Sequence, residues 1–208
     1  EFNASNLLAV LSTLLACGLS LSDAVKSLQE IQPIPGRMEK FGGGSLPLVV
    51  IDFAHTPEAL EKTLIALRVV INSAKDISKI KNKKSKLICI FGCGGDRDQD
   101  KRAFMGKIAT ELSDETIITS DNPRNEDPSS IINEIVSGAD INYLVQENRE
   151  AAIRRGLYGA HKGDIILIAG KGHEIYQEIG KKRLPFSDAK VVRLILKELR
   201  SKVKGPQE

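Results

Sequence analysis

The sequence predicts an α/β fold in which a mainly parallel sheet is covered by helices on both faces. Short apolar runs rich in β-branched residues alternate with longer segments of helical periodicity. The runs are apolar at nearly every position, as expected for strands that are buried on both faces. The strongest of them are LVVID at 48–52, KLICIFG at 86–92, ETIIT at 115–119 and DIILIAG at 164–170.

Two helices are predicted before the sheet begins. Apolar residues recur at helical spacing from Leu7 to Leu14, and Gly18 is a typical residue just beyond a helix end. A second helix is predicted from an N-cap at Ser22 to about Ile31. This leading helical segment differs in pattern from everything that follows it.

The segment QPIPGRMEKFGGG at 32–44 contains two prolines and four glycines, so it cannot continue a helix. We therefore predict that residues 1–35 end one domain, that 36–46 form a hinge or linker, and that 47–208 form a second domain. The glycines at 42–44 are predicted to flank a hinge for domain closure.

After the linker, each strand is followed by a helix whose start carries a recognisable signal. Thr56 is a predicted N-cap with Pro57 at the first helical position, and Ser187 is the predicted cap of the last helix. Further elements are predicted as helices over 101–112, from Pro128 and from Arg149, and as a short strand near 141–145. The alternation gives a sheet whose crossovers are helices.

Composition excludes several classes of protein. Lys and Arg number 30 against 27 for Asp and Glu, and much of the excess of +3 lies in the six-lysine run KDISKIKNKKSK at 75–86. That run has no interleaved aromatic residues, so we predict a solvated loop and no nucleic-acid partner. The apolar stretch at 7–19 is too short and too interrupted to span a bilayer, so no membrane partner is predicted. Three cysteines without a CxxC pair favour a reduced, cytoplasmic setting.

Four polar loops follow strands of the predicted sheet: FAHTP, GCGGDRD, SDNPRN and GKGHE. The carboxyl ends of parallel strands meet at one edge, where open α/β sheets bind ligands. SDNPRN alone is equally well explained as a turn, because Asp-Asn-Pro is common turn chemistry. The convergence of four such loops favours a binding site.

The loops carry charges of both signs. Arg97 and Arg124 can bind carboxylates through a guanidinium fork, whereas Asp121 and Glu174 can hold an ammonium group. An amino acid is the simplest ligand with both groups. Arg97 is open to another interpretation, as a surface arginine in a salt bridge.

GCGGDRD is not predicted to bind phosphate, since no Gly-Lys-Ser or Gly-Lys-Thr follows and Asp96 and Asp98 would repel an anion. His55 and His173 either touch a ligand or orient their loops. No metal site is predicted, because the acidic residues show neither EF-hand nor two-metal spacing.

Six motifs, in this order, resemble those of Mur ligases of the MurE type: FNASNLLA, PIPGRME, IDFAHTPEAL, FGCGGDRDQDKR, DNPRNEDP and AGKGHEIYQ. The similarity runs from Phe2 to about Ala189. It identifies residues 1–35 with the end of the family's central ATP-binding domain and 47–208 with its carboxy-terminal, Rossmann-like domain that binds the amino acid. The family's phosphate-binding loop and magnesium ligands have no match, so this portion alone is expected to be inactive and no catalytic residue is predicted in it.

The resemblance implies an ATP-dependent ligase of peptidoglycan precursor synthesis. Such an enzyme adds meso-diaminopimelate to a UDP-N-acetylmuramoyl-dipeptide through an acyl phosphate, with ATP and Mg²⁺ mostly bound by the central domain. The matched positions for nucleotide contact are Asn3, Asn6, Arg37, Asp52 and His55. Those for meso-diaminopimelate are Arg97, Asp121, Asn122, Pro123, Arg124, Gly170 and Glu174.

The DNPR form of the loop implies meso-diaminopimelate in preference to lysine. Arg124 matches the carboxylate that diaminopimelate has and lysine lacks, and Pro123 fixes the shape of the loop. A guanidinium left unpaired by lysine in a desolvated pocket predicts discrimination of roughly a thousandfold. Two alternatives stay open: a related ligase such as folylpolyglutamate synthetase, and a stand-alone amino-acid-binding or regulatory module without catalysis.

Overall fold

The computed structural model describes residues 2–30, 34–77 and 85–203. The chain divides into two compact units at Ile34 and Pro35. The first unit contains helices α1 (Phe2–Ala16) and α2 (Leu21–Gln29). The strands of the second unit are β1 (Glu39–Gly42), β2 (Leu48–Asp52), β3 (Leu87–Phe91), β4 (Glu115–Ile118), β5 (Tyr143–Val145), β6 (Ile165–Ala169), β7 (Tyr176–Ile179) and β8 (Lys182–Pro185). Its helices are α3 (Pro57–Ile77), α4 (Lys101–Leu112), α5 (Pro128–Val136), α6 (Arg149–Gly159) and α7 (Asp188–Val203).

The two helices of the first unit agree with the prediction except at one cap. Helix α1 ends just before Gly18, whose φ of +89° is easily adopted by glycine. Helix α2 begins earlier than predicted, because Ser20 and not Ser22 is its N-cap. The Ser20 side chain accepts a hydrogen bond from the backbone N–H of Asp23. The predicted end at Ile31 lies outside the described residues.

The second unit is built on a six-stranded sheet in the order β1-β2-β6-β3-β4-β5. Strand β1 pairs with β2 antiparallel, and the remaining pairs are parallel. The predicted fold class, an α/β fold with a mainly parallel sheet, is therefore confirmed.

Alternate residues of each central strand enter two separate hydrophobic cores. Leu87, Cys89 and Phe91 of β3 pack on the side of α3, α4 and α5, whereas Ile88 and Ile90 pack on the side of α6 and α7. All five strand positions are buried. A strand that is covered on both faces has no need of polar alternation, which explains the continuous apolar runs in the sequence.

The stretch 36–46, predicted to be a hinge or linker, is partly a strand. Residues Glu39–Gly42 form β1, which extends the edge of the sheet. Gly42, Gly43 and Gly44 all have positive φ and form the turn into β2, with the Gly43 N–H donating to the carbonyl of Pro47. This correction has a local cause, since a glycine-rich turn and a flexible linker have the same composition.

The sequence pattern also missed the β7–β8 hairpin, which forms a separate two-stranded sheet. Its strands are four residues each and mostly exposed or half-buried, so they carry little apolar signal. The lysine-rich run at 75–86 lies largely outside the described residues, because only its ends are covered. Within the described ranges, no helix combines the length and the apolar character needed to cross a bilayer.

Candidate functional site

The strand order brings three of the four predicted loops next to one another at the carboxyl edge of the sheet. Strand β6 lies between β2 and β3, and β4 follows β3. The GKGHE, GCGGDRD and SDNPRN loops therefore leave adjacent strands in that spatial order. The fourth loop, FAHTP, follows β2 on the other side of β6.

Lys171 is the buried centre of this edge. Its side chain is fully buried, and its ammonium group donates to Oδ1 of Asn122 at 2.8 Å and to Oε2 of Glu174 at 2.9 Å. The Asn122 amide also donates to that same Glu174 oxygen at 2.8 Å. These three bonds connect the loop after β6 to the loop after β4 and hold Glu174 by one oxygen.

Asp121 lies between two buried cations. One carboxylate oxygen is 3.9 Å from the ammonium of Lys171, and the other is 4.0 Å from the guanidinium of Arg149. Burial raises the pKa of the Asp121 carboxyl above its ordinary value, and the two cations oppose that rise. Among the described residues no donor makes a hydrogen bond to this carboxylate, so both oxygens can accept from a ligand.

Gly170 is required where it stands. Its φ is +109°, and a Cβ there would lie 2.6 Å from a carboxylate oxygen of Asp121. A larger residue would therefore both strain the backbone and displace the carboxylate. Glycine therefore allows the backbone at the end of β6 to pass close to the Asp121 carboxylate.

A buried ion pair between the first residues of helices α6 and α7 supports the same edge. Arg149 and Asp188 begin α6 and α7, and both of their side chains are fully buried. The guanidinium donates from Nε and Nη2 to the two oxygens of Asp188, each at 2.8 Å, and also to the carbonyl of Ala169 at 3.0 Å. This fork fixes the ends of two helices against the end of β6.

Arg124 is held in an unusual backbone conformation and by several bonds. Its φ is +52°, a value uncommon for a residue other than glycine. Its Nε donates to Oε2 of Glu178 at 3.0 Å, and its Nη1 donates to the carbonyl of Gly95 at 2.7 Å. Among the described residues its remaining nitrogen, Nη2, has no partner.

Arg124 and Arg97 line one cavity of about 350 Å³. The other lining residues are Asp96 and Asn125 of the two loops, together with Glu178, Gly180, Lys181, Lys182 and Arg183 of the hairpin. Arg97 is exposed, and its guanidinium donates only to the carbonyl of Asp96 within the described part of the chain. No salt bridge of Arg97 is present among the described residues, so its interpretation as a salt-bridged surface arginine is not supported.

Pro123 and the glycines of GCGGDRD make a close contact that shapes the cavity. Gly95 donates its N–H to the carbonyl of Asn122 at 2.9 Å. A Cβ on Gly95 would lie 1.9 Å from the carbonyl oxygen of the buried Pro123. The glycine therefore serves close approach of two loops rather than phosphate binding.

Cys93 in the same loop is a buried core residue with a protonated thiol. Its side chain is 3% exposed, and burial raises the pKa of its thiol to about 12. Its sulfur lies 3.7 Å from that of Met105, as a packing contact of the core.

Comparison with known proteins shows the family to which this chain belongs. Residues 36–172 match the model of the family described as Mur ligase, glutamate ligase domain. The chain belongs to the Mur ligase family.

Two relatives of this Mur ligase chain bear the same name. A UDP-N-acetylmuramoyl-L-alanyl-D-glutamate–2,6-diaminopimelate ligase of Nitrosomonas europaea is 53% identical over 96% of this chain and 38% of its own length. An enzyme of the same name from Rickettsia typhi is 46% identical over 94% of this chain and 37% of its own length. The chain thus spans less than two fifths of these relatives.

Two solved structures resemble this chain in fold. One described as a UDP-N-acetylmuramoyl-L-alanyl-D-glutamate–2,6-diaminopimelate ligase is 36% identical, with a TM-score of 0.70 over 96% of this chain and 39% of that one. A bifunctional folylpolyglutamate synthase/dihydrofolate synthase from Yersinia pestis is 22% identical, with a TM-score of 0.57 over 77% of this chain and 34% of its own. At that identity, the second likeness concerns the fold alone.

Two of the five residues predicted to contact the nucleotide lie against the Phe53 ring in this Mur ligase domain, and a third, Asp52, precedes that ring in the chain. The guanidinium of Arg37 lies 4.6 Å from the centroid of Phe53, and the ring of His55 also lies 4.6 Å from it. Asp52 ends β2 and accepts backbone N–H groups from Met38 at 2.8 Å and Ala54 at 2.9 Å. Asn3 and Asn6 lie on α1 in the other unit, and their nucleotide role stays a prediction.

The sequence patterns did not indicate several residues of this Mur ligase site. Lys171 lies inside the GKGHE motif, but a lysine beside two glycines resembles an exposed loop residue. Arg149 and Asp188 stand at predicted helix starts, where charged residues are common. Glu178 belongs to a hairpin that was not predicted. Nothing local in the sequence indicates that these charges are paired or buried.

Proposed function

We propose that this chain is the amino-acid-binding part of an ATP-dependent ligase that adds meso-diaminopimelate to a UDP-N-acetylmuramoyl-dipeptide. Membership of the Mur ligase family and relatives at 46–53% identity with that name support the proposal. The observation that carries it is the position of Arg124, which lines a cavity with one nitrogen, Nη2, unpartnered among the described residues.

The proposed ligand has two zwitterionic ends, and the site offers matching charge. Arg124 and Arg97 would bind the carboxylate at the far end, because both line the cavity of about 350 Å³. Asp121 and Oε1 of Glu174, which has no partner among the described residues, would accept hydrogen bonds from an ammonium group. Asn122, Pro123 and Gly170 would hold these carboxylates and the loop in place.

The structure lowers the expected discrimination between diaminopimelate and lysine. A factor of roughly a thousand requires that lysine leave a guanidinium unpaired in a desolvated pocket. Arg124 instead has Glu178 as a counter-ion, and its side chain is 21% exposed. We therefore expect a preference for diaminopimelate of about tenfold to a hundredfold.

In the proposed reaction, a glutamyl carboxylate oxygen takes the terminal phosphoryl group of ATP, which releases ADP. The diaminopimelate amine then attacks the acyl carbon, loses a proton and displaces inorganic phosphate. This domain would position the amine and exclude water, because an exposed acyl phosphate hydrolyses.

ATP would meet this domain at the ring cluster of Arg37, Phe53 and His55. A guanidinium over an aromatic ring is a fitting surface for a nucleotide, since it offers both charge and a flat apolar face. Mg²⁺, when bound, would neutralise phosphate charge during transfer. As the resemblance implies, we propose that the central ATP-binding domain of the longer ligase holds most of the Mg²⁺.

The proposal includes a cytoplasmic setting, which the three free cysteines favour. We also propose that residues 1–35 form the end of the nucleotide-binding domain.

The experiment is a comparison of diaminopimelate affinity in two arginine variants of this chain, measured by NMR titration. Arg124→Ala is expected to weaken binding by roughly tenfold or more. Arg200→Ala, an exposed arginine on α7, is the matched control and is expected to leave binding unchanged. Equal losses in the two variants would contradict the proposal.

A further inference from the structure

The β7–β8 hairpin is joined to the SDNPRN loop through its residues 177–180. Two bonds are between backbone groups: the Arg124 N–H donates to the carbonyl of Glu178 at 3.0 Å, and the Gly180 N–H donates to the carbonyl of Arg124 at 2.6 Å. Two more use side chains, since Gln177 donates to the carbonyl of Asp121 and the Glu178 N–H donates to Oδ1 of Asn122. The hairpin therefore moves with the loop that carries the substrate-binding residues.

The Glu178 carboxylate lies between two guanidinium groups. Its Oε2 accepts from Nε of Arg124 at 3.0 Å, and its Oε1 accepts from Nε of Arg183 at 2.8 Å. Hydrogen bonding to Arg183 and the nearby charge of Arg124 lower the pKa of the Glu178 carboxyl below its ordinary value. Glu178 is thus ionised at neutral pH and holds both arginines.

Arg183 is itself fixed, although it is the more exposed of the two arginines. Its guanidinium lies 4.7 Å from the centroid of the Tyr176 ring on the adjacent strand. Stacking on an aromatic ring restricts the rotation of an arginine side chain. Glu178 therefore receives a hydrogen bond from a partner whose position the hairpin determines.

These contacts leave Arg124 one direction in which to bind a ligand. Glu178 occupies the Nε edge of the guanidinium, and the carbonyl of Gly95 occupies one hydrogen of Nη1. Arg124 lines the cavity of about 350 Å³ and its Nη2 has no partner among the described residues, so a carboxylate in that cavity would bind at the Nη2 end. The three groups Arg124, Glu178 and Arg183 keep a net positive charge, so Glu178 orients Arg124 without cancelling the attraction for an anion.

We propose that Glu178 is a positioning residue for substrate selection. With Arg183, it fixes the guanidinium of Arg124 so that Nη2 receives the far carboxylate of diaminopimelate. The β7–β8 hairpin is then part of the device that distinguishes diaminopimelate from lysine. This inference rests on the proposed function of the site, and it adds a residue and an element to it.

The test measures the affinity of this chain for meso-diaminopimelate and for L-lysine by NMR titration. Glu178→Ala is expected to weaken diaminopimelate binding by about tenfold and to leave lysine binding unchanged, because orientation of the guanidinium matters only to a ligand carboxylate. Glu178→Gln keeps an acceptor oxygen and is expected to recover part of the loss. Glu111→Ala, on the exposed surface of α4, is the matched control and should behave like the parent.

Two further measurements separate positioning from general damage. In an Arg124→Ala background, the Glu178→Ala change is expected to have no additional effect on binding, because its route to the ligand is already lost. In the free chain, the Nε–Hε resonance of Arg124 is expected to shift in Glu178→Ala and to stay in place in Glu111→Ala. Thermal melting of each variant reports whether the fold is retained.

The outcomes distinguish this inference from the proposed function. If the parent binds diaminopimelate selectively but Glu178→Ala binds it equally well or more tightly, Glu178 is not a positioning residue. An equal loss with and without Arg124 would also overturn the inference, since it would indicate a structural effect. If the parent shows no selectivity at all, the proposed function fails and the inference fails with it.

Discussion

The ammonium group of Lys171 lies 2.8 Å from Oδ1 of Asn122, and this contact ties the loop after β6 to the loop after β4. The same ammonium group holds Glu174 at 2.9 Å and lies 3.9 Å from Asp121. A fully buried lysine is uncommon unless it is paired. Here it compensates part of the negative charge of Asp121 and Glu174, and the remaining charge can attract a ligand ammonium group.

Lys171→Met should destabilise the chain strongly. Methionine fills a similar volume but leaves the partly buried Glu174 without its cation and the buried carboxylate of Asp121 with Arg149 alone. Loss of one partner from such a group typically costs about 3–5 kcal/mol of the free energy of unfolding. Urea denaturation followed by circular dichroism measures this loss directly.

Lys107→Met is the control for that substitution. Lys107 forms only an exposed contact with Glu111 at 3.7 Å on the surface of α4. Its replacement is expected to change the free energy of unfolding by less than about 0.5 kcal/mol. A loss for Lys171→Met as small as that would show that the buried cation contributes little.

Gly95→Ala should damage both stability and ligand binding. The new Cβ would lie 1.9 Å from the carbonyl oxygen of Pro123, so the two loops must separate. We expect a loss of about 1–3 kcal/mol in the free energy of unfolding. Diaminopimelate affinity should fall as well, because Gly95 also accepts the hydrogen bond from Arg124.

Gly159→Ala provides the comparison. Gly159 ends α6, and a Cβ there would meet no atom within 4 Å among the described residues. Alanine is the better helix former, so the free energy of unfolding should rise by up to about 1 kcal/mol. If both glycine variants lost stability equally, steric contact with Pro123 would not be the cause.

The fork between Arg102 and Glu126 predicts a pH effect of definite sign. The guanidinium donates to both oxygens of Glu126, at 2.9 and 3.0 Å, and lowers the pKa of that carboxyl below its ordinary value of 4.5. A lowered folded-state pKa stabilises the fold at pH values above the ordinary one. That contribution is lost as the pH falls through the folded-state value.

The pH effect is measured by following the side-chain carboxyl carbon of Glu126 in an NMR titration. The midpoint is expected below 4.5 in the parent and nearer to 4.5 in Arg102→Lys, which keeps the charge but not the fork. A midpoint above 4.5 in the parent would contradict the assignment of this pair.

The parallel sheet could be predicted because its signals are local. Strands buried on both faces require continuous apolar runs, and the caps Thr56 and Ser187 mark helix starts in the sequence. The β1 strand could not be predicted, because its residues lie beside the glycines of its own turn. The β7–β8 hairpin has no buried face to impose a pattern.

The position of the candidate site could be predicted, but not which of its charged side chains pair with one another. The loops were placed together because the carboxyl ends of parallel strands share an edge. Which charges are satisfied by other protein groups depends on contacts between distant segments, such as Arg149 with Asp188. For that reason the sequence predicted Arg124 without its counter-ion Glu178, and the thousandfold discrimination expected from the sequence took no account of that ion pair.

The most direct test of the proposed function is a solution NMR titration of this chain with meso-diaminopimelate, with L-lysine as the matched ligand. We predict that diaminopimelate shifts the amide signals of Arg97, residues 121–124, residues 170–174 and β7, and that lysine shifts the far-end residues Arg97 and Arg124 much less. Equal shifts with both ligands, or none with either, would contradict the proposal that this domain selects diaminopimelate.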